Sequence, residues 1–152
     1  MGKTPSRRWM AVGQFQKRSD SVLRTVCKGK IHRATVTQAD LNYMGSITVD
    51  AKLLEAANIL PYEMVQITNL ANGVIWQTYA LAAEENSGTI CLNGPPARWF
   101  QPGDKVIILS LALMSDDEWA NMTSHVIFVD DRNQVTSVVA HRMQDEPGWN
   151  LQ

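Results

Sequence analysis

The sequence predicts a mainly β protein, a small closed β-barrel with only short helices. Short runs rich in Val, Ile and Thr recur along the chain, as is typical of strands. Turn signals separate these runs at close intervals, among them Asn72-Gly73, Asn86-Ser87-Gly88 and Pro102-Gly103-Asp104. The helical patterns between them are short, which favours a small barrel.

The first part of the chain contains two predicted strands and one predicted helix. Residues 23–36 alternate in polarity and are rich in β-branched side chains, and residues 47–49 form a second, shorter strand. Asp50 is a suitable N-cap for a helix over residues 51–58, in which Leu and Ala form one apolar face. Pro61 stops that helix.

The rest of the chain predicts further strands and a second helix. Asn72-Gly73 is a strong hairpin signal and joins strands over residues 63–70 and 74–83. The nearly continuous apolar run over residues 105–113 is typical of a strand buried on both faces. Ser115-Asp116-Asp117-Glu118 predicts a capped short helix. The remaining strands are predicted over residues 89–92, 125–129 and 135–140.

Length and composition limit the class of protein. A chain of 152 residues with 45% hydrophobic and 19% charged residues is typical of one ordinary globular domain. The net charge of −1 and the lack of an apolar run of about 20 residues give no reason to expect a nucleic-acid or membrane partner. Cys27, Cys91 and three scattered histidines form no metal-ligand pattern. We therefore expect a cytoplasmic protein with two buried, reduced cysteines.

The two ends of the chain differ from its centre. Residues 1–21 carry five basic side chains, one acidic side chain and few aliphatic ones, which predicts a flexible basic extension. An organelle-targeting or acid-binding role for this extension stays open. Residues 142–152 are polar, which predicts a loose C-terminal tail. The barrel domain is therefore expected over residues 22–141.

Gly45 and Ser46 lie where the first hairpin should turn, and this pair can support self-cleavage. The serine hydroxyl can attack the preceding carbonyl carbon and replace the amide by an ester, if the turn is strained and fixed donors meet the oxyanion. Glycine leaves that carbonyl unshielded. β-Elimination from the ester would cut the chain and leave dehydroalanine at position 46, which hydrolyses to a pyruvoyl group. Most Gly-Ser pairs, however, are simply turns.

The surrounding residues give this pair a specific context. Residues 23–140 resemble the pyruvoyl-dependent aspartate 1-decarboxylases, bacterial enzymes that make β-alanine for pantothenate biosynthesis. The match is ungapped over most of this length. It rests on these residues, in this order and spacing: Arg24-Thr25, Gly29-Lys30-Ile31-His32-Arg33, Val36-Thr37, Ala39-Asp40-Leu41, Tyr43, Gly45-Ser46, Asp50, Asn72-Gly73, Thr78-Tyr79-Ala80, Ala82-Ala83-Glu84, Asn93-Gly94 and Gly103-Asp104.

The resemblance implies a fold and a set of site residues. The fold would be a six-stranded double-psi β-barrel assembled as a homotetramer, with each protomer cut between Gly45 and Ser46. Ser46 would be the pyruvoyl precursor, and Tyr79 would be the proton donor. The cleavage site would comprise Gly45, Ser46, Tyr43, Thr78 and Asn93. The substrate pocket would comprise Lys30, His32, Thr78 and position 75, which is Ile75 in this chain.

The implied reaction is the conversion of L-aspartate to β-alanine and CO₂, with a covalent pyruvoyl group and neither a metal nor pyridoxal phosphate. The substrate amine would form a Schiff base with the pyruvoyl ketone, which withdraws electrons as the carboxylate leaves. Tyr79 would then supply a proton, and Lys30 would attract and orient carboxylates. Cleavage would be either spontaneous or assisted by a maturation factor.

Two positions on the substrate side depart from the family pattern. Ile75 stands where the family typically has an arginine that pairs with a substrate carboxylate, and Thr68 stands where bacterial members usually have Trp. Loss of that charged pair would weaken aspartate binding. Three explanations stay open: a non-acidic substrate in a specialised pathway, a replacement cation such as Arg98, or a protein that processes itself but catalyses little. A non-catalytic double-psi barrel that acts as a binding module is the other alternative.

Overall fold

The structure is a computed structural model that describes residues 22–146. The predicted basic extension over residues 1–21 and the end of the predicted C-terminal tail lie outside these residues. The elements in chain order are β1 (Arg24–Thr35), β2 (Ser46–Asp50), α1 (Ala51–Ala56), β3 (Met64–Asn69), β4 (Ile75–Ala83), β5 (Ile90–Asn93), a 3₁₀ turn (Pro95–Arg98), β6 (Lys105–Met114), α2 (Asp116–Ala120), β7 (Thr123–Val129), β8 (Val135–Arg142) and a second 3₁₀ turn (Met143–Asp145).

The described strands form one continuous sheet, and six of them close into a ring. The sheet order is β5-β2-β4-β3-β6-β1-β7-β8. Beyond the end of β1, the Thr37 N–H donates to the Ile90 carbonyl at 2.8 Å, and the Leu92 N–H donates to the Gln38 carbonyl at 2.9 Å. β5 is therefore hydrogen-bonded on both sides. Strands β1 to β6 form the ring, and the β7-β8 hairpin is added beside β1.

The hydrophobic core lies inside this ring and under α1. Successive side chains of a strand point to opposite faces, and Ile31, Ile108 and Ile67 form one fully buried row across β1, β6 and β3. α1 packs closely on β1 because Gly29 has no side chain. A Cβ atom at this position would lie 2.1 Å from the Ala57 carbonyl oxygen. The strands of the ring, which form the wall of the barrel, are therefore held in register by apolar packing on their inner side.

Local signals in the sequence set several boundaries of these elements. Asp50 caps α1 by accepting a hydrogen bond from the Lys52 N–H at 2.8 Å. Ser115 and Glu118 form the predicted capping box at the start of α2. Gly73 has a φ of 71° in the turn between β3 and β4, a conformation that glycine adopts readily. No helix within residues 22–146 has the length and apolarity needed to cross a membrane.

The prediction of a mainly β fold with short helices is confirmed, and two details differ. β6 was expected to be buried on both faces, but full burial is limited to Val106, Ile108 and Ser110, while the residues between them are partly exposed. The outer face of β6 is therefore apolar without being covered in the protomer. Both cysteines are free, but Cys27 is only half-buried, whereas Cys91 is buried as expected.

Candidate active site

Ser46 is the first residue of β2 and is paired directly with Asn93 of β5. Both residues are nearly buried, with 4% and 5% of their surface exposed. Directly paired residues project from the same face of a sheet, and the next residue, Ile47, is fully buried in the core. Ser46 and Asn93 therefore share the outer face of the barrel wall.

Asn93 and Gly94 hold the loop that precedes Ser46. The Asn93 Oδ1 accepts a hydrogen bond from the Asp40 N–H at 2.9 Å, and the Gly94 N–H donates to the Asp40 carbonyl at 2.8 Å. Gly94 has a φ of 76°. A Cβ atom at this position would lie 2.7 Å from the Gly45 Cα and 3.2 Å from the Tyr43 carbonyl oxygen. The loop therefore rests on the backbone at the end of β5.

This packing fits the chemistry expected at position 46. Gly45 and Gly94 bring two backbone segments together with no side chain between them, and glycine at position 45 places no side chain of its own beside the carbonyl. A pyruvoyl group made from Ser46 would stay attached to the start of β2, where the pairing with Asn93 holds the strand in place. The Tyr43 side chain, by contrast, is exposed.

Tyr79 lies on β4, which runs parallel to β2. Ile47 pairs with Ala80, so Ser46 and Tyr79 occupy adjacent positions on neighbouring strands. Alternation along each strand places both side chains on the outer face, opposite to the buried Ile47 and Ala80. Thr78 therefore faces the other side of the wall, where it is half-buried. The structure brings Tyr79 next to Ser46 and places Thr78 on the adjoining strand.

Lys30, His32 and Ile75 lie apart from Ser46 within the protomer. Lys30 and His32 are on the outer face of β1, while Ile75 begins β4, pairs with Thr68 and is 60% exposed. Around the closed ring only β5 lies between the end of β1 and β2, but the residues that meet β5 are Thr37 and Gln38. Lys30 and His32 lie earlier in the chain, where the neighbours of β1 are β6 and β7. In the part of the chain that the structure describes, no hydrogen bond or ion pair joins these residues to Ser46. The predicted site is therefore divided into two groups.

His32 is held in an apolar and positively charged environment. Its ring packs edge-on against Phe128 of β7, with the ring centroids 5.4 Å apart. Burial, together with the charges of Lys30 and Arg33, lowers the pKa of His32, so the ring is neutral at pH 7. Its Nδ1 is buried and has no hydrogen-bond partner within residues 22–146. Buried nitrogens without a partner are uncommon in proteins.

Two features of the site were not found from the sequence. Gly94 was noted only as part of a matching Asn-Gly pair, and no local signal indicates its contact with Gly45. Tyr62 stacks on Tyr79, and no local signal in the sequence indicates this contact, although Pro61 marks a turn at this point. Within residues 22–146, no group of three or more His, Cys, Asp or Glu side chains is placed to hold a metal ion.

Known proteins match this chain over most of its length. Residues 22–136 match the family model described as aspartate decarboxylase. Aspartate 1-decarboxylase from Ruminiclostridium cellulolyticum is 54% identical over 112 residues, which are 74% of this chain and 88% of the relative. The enzyme of the same name from Thermoanaerobacter pseudethanolicus is 54% identical over 111 residues, 73% of this chain and 95% of the relative. That from Clostridium beijerinckii is 48% identical over 124 residues, 82% of this chain and 100% of the relative. The chain belongs to the aspartate decarboxylase family.

Proposed function

We propose that this protein is a self-processing, pyruvoyl-dependent decarboxylase that converts L-aspartate to β-alanine and CO₂. The observation that carries the proposal is the contact of Gly94 with Gly45 next to the Ser46–Asn93 pair. It places a nearly buried serine directly after a glycine that is held by close backbone packing, in a family whose relatives are named aspartate 1-decarboxylase.

The chain's own residues account for the proposed cleavage. The Ser46 Oγ attacks the Gly45 carbonyl carbon, and a C–O bond forms as the C–N bond breaks. The Ser46 nitrogen takes the proton that the hydroxyl loses. The Asn93 side chain, which lies on the same face as Ser46, is the proposed donor to the oxyanion. Thr78 faces the inner side of β4, and its proposed role is to support the cleavage site from there. Elimination then removes the Ser46 α-proton, breaks the Cβ–O bond and releases the Gly45 carboxylate. Hydrolysis of the dehydroalanine releases ammonia and leaves the ketone.

Other residues serve the decarboxylation. The pyruvoyl group supplies an electron sink that lets the α-carboxylate leave as CO₂. Tyr79, adjacent to position 46 on the outer face, donates a proton to the carbon that has lost the carboxylate. Lys30 is the proposed cation for substrate carboxylates, and the neutral ring of His32 is a proposed hydrogen-bond partner. Each role is a proposal that mutation can test.

The division of the site into two groups supports a homotetramer in which a neighbouring protomer completes each pocket. On the outer side of β3, β4 and β6, Met64, Ile75 and Leu113 expose 58%, 60% and 64% of their surfaces, with a few polar residues of β3 and β4 between them. An exposed apolar face of this kind is typical of a contact between subunits. In the proposed assembly, a second copy covers this face and supplies one of the two groups of site residues.

The relatives favour aspartate over the alternative substrates. They match this chain along 88–100% of their own lengths and carry the name aspartate 1-decarboxylase, which also argues against a non-catalytic binding module. Because Ile75 replaces the family arginine, we propose that another cation binds the substrate carboxylate, and that the substrate itself is unchanged. Arg98 is the proposed replacement, because it lies in the 3₁₀ turn that follows Asn93-Gly94. We further propose that the enzyme acts in the cytoplasm.

The denatured intact mass of the purified protein tests the proposal, with Ser46→Ala as its control. We expect the wild type to yield two fragments, residues 1–45 and 46–152, and the variant to stay uncut. The cut protein should release β-alanine and CO₂ from L-aspartate. Cleavage only after co-expression with host factors would indicate assisted maturation. A chain that stays uncut and inactive under both conditions would contradict the proposed function.

A further inference from the structure

The turn between α1 and β3 holds a tyrosine in an unusual backbone conformation. The Glu63 N–H donates to the Leu60 carbonyl at 3.1 Å, and Pro61 occupies the second position of this four-residue turn. Tyr62, at the third position, has a φ of 67°. This arrangement is that of a type II turn, in which the third residue is usually Gly or Asn. A bulky side chain at positive φ is an outlier, and a specific contact has to retain it.

The turn is fixed to its surroundings on two sides. The Tyr62 N–H donates to the Ala80 carbonyl at 2.7 Å, and the Ala80 N–H donates to the Glu63 carbonyl at 2.9 Å. The Glu63 carboxylate accepts from the Leu60 N–H at 2.9 Å, contacts Lys28 at 2.9 Å and accepts from the Ser110 hydroxyl. These bonds fix the position of the Tyr62 backbone relative to β4.

The Tyr62 ring is directed onto Tyr79. The two ring centroids are 5.6 Å apart, and the ring planes differ by 10°. Tyr62 itself is 74% exposed, so burial of its ring does little to offset the energetic cost of the positive φ. The stacked ring instead limits the rotation of the Tyr79 side chain, which projects from the outer face of β4 with only partial burial.

We propose that Tyr62 is a positioning residue for the decarboxylation. Its ring fixes the plane of the Tyr79 ring and so aims the Tyr79 hydroxyl at the carbon that loses the carboxylate. This inference rests on the proposed function of Tyr79 as proton donor. It assigns to Tyr62 a role in the protonation step, separate from the cleavage at Gly45-Ser46, which lies on another strand.

Two substitutions separate positioning from a purely structural role. Tyr62→Asn removes the ring and suits the positive φ, so the midpoint of thermal unfolding should rise by a few degrees. The variant should still cut itself, as measured by intact mass. Its kcat for L-aspartate should fall by about ten- to a hundred-fold with little change in KM, since misplacing a proton donor slows the chemical step. Tyr62→Phe keeps the ring and should remain within about two-fold of the wild type.

The configuration of the product gives a readout that stability cannot change. In D₂O, the wild type should place one deuteron on the former α-carbon of L-aspartate with a single configuration. Tyr62→Asn should give partly mixed configurations, and Tyr62→Phe should restore the single one. Wild-type kcat and a single configuration in a cut Tyr62→Asn protein would overturn the inference while leaving the proposed function intact. A wild type that does not cut itself or turn over aspartate would overturn both.

Discussion

Gly94 lies against Gly45 so closely that no side chain fits between them. A Cβ atom at position 94 would be 2.7 Å from the Gly45 Cα and 3.1 Å from the Gly45 nitrogen. Both atoms belong to the main chain, which cannot rotate away as the end of a side chain can. The geometry of the peptide bond proposed for cleavage therefore depends on the absence of one carbon atom at the end of β5.

Gly94→Ala should stop or strongly slow self-cleavage, because the added methyl group displaces Gly45 from the Ser46 hydroxyl. Gly103→Ala is the matched control: Gly103 also has a positive φ, 93°, but no atom lies within 4 Å of its would-be Cβ. Both variants place a Cβ atom on a residue with positive φ, and at Gly94, whose ψ is −143°, this backbone cost adds to the clash with Gly45. Intact mass followed over time should show an uncut Gly94→Ala protein and a cut Gly103→Ala protein. Equal cleavage in the two would show that the contact is not needed.

Replacements of Asn93 can separate its two proposed tasks. Asn93→Ala removes the acceptor for the Asp40 N–H and should cost about 1–3 kcal/mol of stability, with slow cleavage. Asn93→Asp keeps an acceptor oxygen for that N–H but has no amide donor for the oxyanion. We expect it to keep this hydrogen bond, to lose some stability in urea unfolding at pH 7 because a carboxylate is nearly buried there, and to cut slowly. Rapid cleavage of Asn93→Asp would argue against an oxyanion role.

Arg98→Ala should raise the KM for L-aspartate by about ten-fold, the effect of losing one charge-assisted pair. Arg98 makes no ion pair within residues 22–146, so its charge is available to a substrate. Arg132→Ala, an exposed arginine in the turn between β7 and β8, is the matched control and should leave KM unchanged. Adding Ile75→Arg to Arg98→Ala should recover part of the loss. An unchanged KM in Arg98→Ala would show that another cation binds the substrate carboxylate.

The stability of the barrel should depend on the ionisation of Glu63. Burial opposes ionisation of this carboxyl, but hydrogen bonds from the Leu60 N–H and Ser110, together with Lys28, hold its pKa below the usual value of 4.5. A lowered pKa in the folded state stabilises the protein above pH 4.5, and this contribution is lost as the pH falls through the folded-state pKa. Glu63→Gln should therefore cost about 1–2 kcal/mol at pH 7 and progressively less below pH 4.5.

Urea unfolding across this pH range measures that difference. Asp131→Asn is the control, because Asp131 also pairs with a lysine, Lys105 at 3.0 Å, but is 98% exposed. Exposed ion pairs contribute little to stability, so this variant should unfold close to the wild type at each pH. A Glu63→Gln protein with wild-type stability at pH 7 would show that Lys28 is adequately solvated without its partner.

Patterns of neighbouring residues predicted most of the elements of this fold. The N-cap at Asp50, the capping box at Ser115 and the turn at Asn72-Gly73 depend on residues within four positions of one another, so the sequence displays them directly. The strands were also correctly located, because alternation is a local property. The expected full burial of β6 was wrong, since the cover for its outer face is not supplied by any element of the described protomer.

The contacts that assemble the site could not be predicted from local patterns in the sequence. The contact of Gly94 with Gly45 depends on β5 lying beside β2, and the closure of the ring depends on Thr37 reaching Ile90. Both join residues that are far apart in sequence and carry no complementary local signal. Tyr62 was missed because a tyrosine at the third position of a type II turn contradicts the preference for that position.

The closed ring determines what a cut in the chain would mean for the molecule. The smaller piece, residues 1–45, would contribute β1 to the middle of the sheet, between β6 and β7, and Thr37 to β5. Cleavage would therefore convert one polypeptide into two that are held together only by non-covalent contacts. Unfolding would release two separate molecules, and refolding would require them to find each other again. The mature protein would thus be stabilised by a low rate of unfolding, because folding takes place only once, before the cut.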